Sequence, residues 1–143
     1  MPEAEVSPRG SVAAAISRSL VHLHKEFYGK GPVRAKTHFV DDTIICILGG
    51  GFTTVERTLI SDGKTEEVER VRRSFQGTME GRFRGTIEEL TGRSVVAYMS
   101  TVHSEPDLAV ELFVLEPRDE RFAEEHVNRV SNAALVDGSG GGA

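Results

Sequence analysis

The chain reads as an α+β fold in which an α-β-β unit occurs twice, making a four-stranded antiparallel sheet in the order 1-2-4-3 with the helices on one face. Three observations predict this arrangement. Apolar residues recur every three or four positions in two separate stretches, which marks amphipathic helices. Each stretch stops at a glycine followed by a base, Gly29-Lys30 and Gly92-Arg93. Each then gives way to a strand, an Asp-containing turn and a second, more apolar strand.

The first helix is expected from Ser11, a side chain suited to N-capping, with Val12, Ile16, Leu20, Leu23 and Phe27 as its inner stripe. Gly29, Gly31 and Pro32 stop it. "VRAKTHFV", 33–40, alternates Val33, Ala35, Thr37 and Phe39 against Arg34, Lys36 and His38, a strand with one wet face that suits a sheet edge. Asp41-Asp42 supplies the turn, and "TIICIL" returns with both faces apolar until Gly49, Gly50 and Gly51 break it. Thr53 or Thr54 caps a short helix through "TVERTLI", which Ser61-Asp62-Gly63 ends.

A long helix at 65–91 follows, with its stripe at Val68, Val71, Phe75, Met79, Phe83, Ile87 and Leu90, Thr65 as cap and Gly92 as its C′ residue. Its length is about 40 Å, against about 27 Å for an eight-residue strand, so it should overhang the sheet. "SVVAYMSTV", the bend "HSEPD" and "LAVELFVL" complete the second hairpin, and only Glu111 interrupts the last apolar run.

The order 1-2-4-3 sets the two apolar return strands side by side at the centre. The alternative 2-1-3-4 would put Arg34 and Lys36 in mid-sheet. With helices on one face, the other keeps roughly five to eight aliphatic side chains, each worth about 1.5–3 kcal/mol on burial. Either the acidic C-terminal segment covers that face or a second chain does, and a two-fold homodimer is the expected partner. The expected organisation is a disordered N-terminus at 1–10, one domain at 11–117, an acidic helix or extension at 118–131 and a flexible Gly/Ser-rich tail at 132–143.

Composition narrows the function classes. The 143 residues are 38% hydrophobic and 27% charged, as in a soluble single domain. No apolar run reaches the roughly 20 residues of a spanning helix, and no secretory signal opens the chain, so a cytoplasmic protein without direct membrane insertion is expected. A net charge of −5 argues against a nucleic-acid partner. The single Cys46 excludes an internal disulfide framework and a thiolate metal cluster, and no cofactor is indicated.

Nothing in the chain forms a recognisable catalytic set, neither Ser-His-Asp nor Cys-His nor a metalloprotease helix. The weaker candidates are these. His103, Glu105 and Asp107 in "HSEPD" carry metal-ligating chemistry, with His103 and Asp107 the pair of interest, although Pro106 and the Asx-forming residues equally describe a bend. "LGGGF" runs from a buried strand into a short helix, so the backbone N–H groups of Gly49, Gly50 and Gly51 could cradle a small anion. Lys30, Arg34 and Lys36, with Arg93 in the second unit, supply cations for such a ligand or protect a sheet edge from aggregation. Gly77, Gly81 and Gly85 recur every fourth residue on the long helix, either as drift on a wet face or as a close helix contact across an interface.

The stretches "HKEFYGKGP", "ELTGR" and "VHSEPDLAVELFVLE" are the most specific part of a pattern covering residues 11–116 that resembles the MpsC-type domain family. The glycines at 77, 81 and 85 depart from the Ala- and Glu-rich helix expected there. The resemblance implies a soluble accessory component of a bacterial membrane-potential-generating system linked to sodium movement and bicarbonate supply. It implies a membrane-protein partner in ion or bicarbonate transport, and carries no established catalytic residues.

Overall fold

The computed structural model describes residues 8–118; the predicted acidic extension and tail, and most of the predicted disordered N-terminus, lie outside them. The elements run α1 (Pro8–Tyr28), β1 (Arg34–Val40), β2 (Thr43–Gly49), α2 (Thr54–Ser61), α3 (Thr65–Thr91), β3 (Val95–His103) and β4 (Leu108–Leu115). All strand pairs are antiparallel and the order is β1-β2-β4-β3, as the apolar return strands require. Two α-β-β units, α1-β1-β2 and α3-β3-β4, flank the short α2.

Local chemistry explains the boundaries. α1 is already helical at Pro8, so Ser11, the expected cap, lies inside the helix. α2 opens on a capping box: Thr53 Oγ1 accepts from the Glu56 N–H, and Glu56 Oε1 accepts from the Thr53 N–H. α3 is preceded by Lys64, which offers no side-chain cap, and closes on Gly92 at φ 67°, a left-handed position where a Cβ would be strained. The "HSEPD" segment is the β3–β4 turn, with His103 ending β3.

The core lies between the sheet and helices α1 and α3. Ile16, Leu20 and Leu23 from α1 meet Phe83 and Ile87 from α3 over Ile44, Leu48, Phe113 and Leu115. α3 departs from the expected stripe in its first half. Val71 and Phe75 are exposed, while Arg72 and Gln76 are buried, so the inner line runs Val68, Arg72, Gln76, Met79, Phe83, Ile87. Arg72 turns inward to meet Glu56, the Gly51 carbonyl and the face of the Tyr28 ring.

The strand pairings sort the sheet into transverse rows. Facing the helices are Phe39–Ile44–Phe113–Tyr98, then Thr37–Cys46–Glu111–Ser100, then Ala35–Leu48–Ala109–Val102. On the opposite face the two middle rows are His38–Ile45–Leu112–Met99 and Lys36–Ile47–Val110–Thr101. Cys46 and Glu111 face each other on the central strands, so Thr37 corresponds to Ser100 and Ala35 to Tyr98. A bulge between Val95 and Ala97 shifts the register at this point.

No described segment covers the opposite face. Val40, Ile47 and Met99 are 54%, 41% and 54% exposed, and Ile45, Val110, Leu112 and Val114 are partly open. Among the described residues no helix is long and apolar enough to cross a membrane.

Candidate functional site

The polar groups of the molecule gather under α3, where the sheet's central row crosses beneath the two helices. Glu111, 1% exposed, stands in mid-sheet on β4. Its Oε1 lies 3.3 Å from His24 Nε2 on α1, and its Oε2 accepts from the Tyr98 hydroxyl at 2.5 Å. His24 Nδ1 is 2.8 Å from the Leu20 carbonyl. A carbonyl only accepts, so Nδ1 carries hydrogen, and the proton between Nε2 and Glu111 belongs either to an imidazolium or to a carboxylic acid. Phe83 and Tyr28 pack on the His24 ring at 5.5 and 5.6 Å between centroids, and Phe83 and Phe113 enclose Tyr98. Burial pushes the Tyr98 phenol far up, and the Glu111 charge and hydrogen bond add to it; the adjacent Ser100 hydroxyl opposes the shift without forming a hydrogen bond by geometry.

A second cluster adjoins the first through Tyr28. Arg72, 3% exposed, grips Glu56 with Nε and Nη2 at 2.5 Å each, and Nη2 also donates to the Gly51 carbonyl at 3.1 Å. The guanidinium stacks 3.8 Å above the Tyr28 ring. Burial by itself raises Glu56, but the Arg72 hydrogen bonds and the Thr53 cap outweigh it and hold the carboxyl below its ordinary 4.5. Burial likewise lowers Arg72, and Glu56 reverses this to a net rise. The chain of contacts Glu56–Arg72–Tyr28–His24–Glu111–Tyr98 thus links α2, α3, α1 and the sheet.

Beside this network, α3 and the edge strand β3 border a cleft of about 210 Å³ lined by Glu69, Arg72, Arg73, Gln76, Ser100, Thr101 and Val102.

The candidates read from the sequence are placed as follows. The N–H groups of Gly51 and Phe52 donate to the two carboxylate oxygens of Asp107 at 3.3 and 3.1 Å, and Gly50 N–H donates to the Asp107 carbonyl. Asp107 thus pins the "LGGGF" loop to the β3–β4 turn. Lys30 Nζ donates to the Phe52 carbonyl at 3.1 Å. Arg34 lies against Gly49, where an added Cβ would sit 2.8 Å from Nη2. Lys36 is exposed on β1. Arg93 lies at the far end of β2, on Asp42 Oδ1 and the Glu116 carbonyl, so it is not brought to Lys30. His103 Nδ1 is 2.9 Å from the Pro106 carbonyl, and among the described residues no group of three or more His, Cys, Asp or Glu is placed to hold a metal ion. Gly77, Gly81 and Gly85 are exposed, with nothing within 4 Å of an added Cβ. Cys46 is fully buried, and burial pushes its thiol up.

Sequence reading passed over His24, Arg72, Gln76 and Tyr98. Glu111 was the available signal, a lone acid in an apolar strand. Arg72 and Gln76 hid because Val71 and Phe75 offer an equally regular helical stripe.

Uncharacterized protein YrhF of Bacillus subtilis (strain 168) is 29% identical over 96 residues, covering 66% of this chain and 79% of its own. Uncharacterized protein YbcI of the same strain is 27% identical over 110 residues, 75% of this chain and 87% of its own. No solved structure gives a significant match. The family described as the Na+-translocating membrane potential-generating system (MpsC) matches residues 8–117, and the chain belongs to it.

Proposed function

We propose that this domain is a non-catalytic interaction module, which pairs with a second copy through its uncovered sheet face and serves a membrane protein of a membrane-potential-generating or bicarbonate-uptake system. The observation that carries the reading is the open face itself. Ile45, Ile47, Val110, Leu112 and Val114 form a continuous apolar strip, with Val40 and Met99 beside it and Arg34, Lys36 and His38 along one rim. An apolar centre with a polar rim is the anatomy of a protein interface. A two-fold axis through such a strip is self-complementary and leaves both basic rims in water.

The reading rests on surface chemistry and on the family's association with a membrane-energising system. The experiment is a pair of measurements on the full chain. Light scattering should give a mass twice the 15.6 kDa of one chain. Crosslinking in native membranes should then recover one integral membrane protein with the dimer. A monomeric mass at all accessible concentrations sinks the pairing, and recovery of the dimer alone sinks the membrane-protein partnership.

A further inference from the structure

The cleft between α3 and β3 presents more hydrogen-bond donors than it uses. Arg72 commits Nε and Nη2 to Glu56 and Gly51, and its Nη1 has no hydrogen-bond partner among the described residues. Gln76 is 8% exposed, and its side chain makes no hydrogen bond among the described residues. Ser100 Oγ is buried without a partner on the β3 side. Arg73 lines the mouth and forms no ion pair among the described residues. Ser100 Oγ is the one of these atoms that is buried without a partner, while Arg72 Nη1 and the Gln76 amide open onto the cleft, so the cleft offers a polar ligand directed hydrogen bonds that the described residues do not use.

We infer that this cleft binds a small monoanionic carboxylate. A planar carboxylate offers two acceptor oxygens to a guanidinium edge and an amide lying one helical turn apart, Arg72 and Gln76. Charge sets the valence. Glu56 neutralises Arg72 and Glu69 offsets Arg73, so the lining has no net field to hold a dianion, and binding comes from directed hydrogen bonds. Space agrees: about 210 Å³ exceeds by severalfold the roughly 30 Å³ share of one water, enough for a few heavy atoms with residual solvent. The stacking of Arg72 on Tyr28 fixes its guanidinium in advance, which lowers the entropic cost of binding. The cleft opens at the β3 edge of the sheet, sharing Arg72 with the glycine loop through the Gly51 carbonyl and Thr101 with the open face.

The test is a titration of the full-length, isotope-labelled protein with acetate, lactate and succinate in turn, at constant ionic strength, followed by backbone amide NMR. At least one monoanion should give saturable shifts clustered at residues 69–76 and 100–102. Gln76→Glu keeps the shape and replaces the donor by a like charge; it should weaken binding by about a hundredfold, and Arg73→Ala by about tenfold. The native amide spectrum of each variant shows that the fold is retained. Glu69→Gln should tighten binding of succinate more than of acetate. The proposal fails if no carboxylate saturates, if the shifts map elsewhere, or if folded Gln76→Glu binds like the parent. Inorganic phosphate binding as tightly as the best carboxylate overturns the assignment of ligand class.

Discussion

The two faces of the sheet differ in the polarity of their middle rows. The face packed under α1 and α3 carries Thr37, Cys46, Glu111 and Ser100 across its middle, with His24, Arg72 and Gln76 brought down onto it from the helices. The face that no described segment covers carries Ile45, Ile47, Leu112 and Val110 at the corresponding positions. The covered face holds its charges because each buried oxygen of Glu111 has a partner, and because a bidentate Arg72–Glu56 pair is locked by a helix cap. The uncovered face gains nothing from water. On the proposed pairing, stability and association are built on opposite sides of the same strands, and charge placed on one side should act differently from charge placed on the other.

The largest effect is expected on the open side. Combining Ile47→Glu with Leu112→Glu puts four charges into a two-fold interface and should raise the dimer dissociation constant by about a thousandfold or more. Sedimentation velocity reads this directly, while the thermal unfolding of the monomer should hardly move.

On the covered side the order of effects reverses. Glu111→Ala strands His24 in the core and should cost about 3–5 kcal/mol by urea denaturation. The triple replacement His24→Leu, Tyr98→Phe and Glu111→Leu removes all three partners and should recover most of that loss, because the cluster serves stability only while every member is present. Tyr98→Phe leaves one Glu111 oxygen unpaired and should cost about 1–3 kcal/mol.

How far these faces could be read from sequence depends on the physics that sets each. The element order, the long helix at 65–91 and the strand order followed from periodicity, from glycine stops and from the basic alternation of β1, since hydrophobic spacing is a local signal. The polar network was not local. His24, Arg72, Tyr98 and Glu111 come from α1, α3, β3 and β4, and their meeting depends on strand register and on which side α3 turns inward. Two nearly equivalent stripes on α3, through Val71 and Phe75 or through Arg72 and Gln76, differ by one residue. The long-range contacts of Arg72 with Glu56, Gly51 and Tyr28 favour the second.

Acid should separate the two faces further. Glu56 titrates below its unfolded value, so its contribution is fully present above about pH 4.5 and is lost as pH falls through the lower folded value. The Glu56→Gln variant should therefore show a shallower loss of stability than the parent below that pH, measured by urea midpoints across an acid series. The smallest effect belongs to neither face. Gly81→Ala, on the exposed side of α3 with open space around it, should stabilise the chain by about 1 kcal/mol. A loss of association instead would place a helix contact there.

The most direct test of this division between the faces is isotope-filtered NMR on an equal mixture of methyl-labelled and unlabelled chains. Contacts between copies should arise from the methyl groups of Ile45, Ile47, Val110, Leu112 and Met99. Inter-chain contacts confined to the helices, or none at concentrations where the protein remains soluble, would contradict the assignment of this face to a second copy.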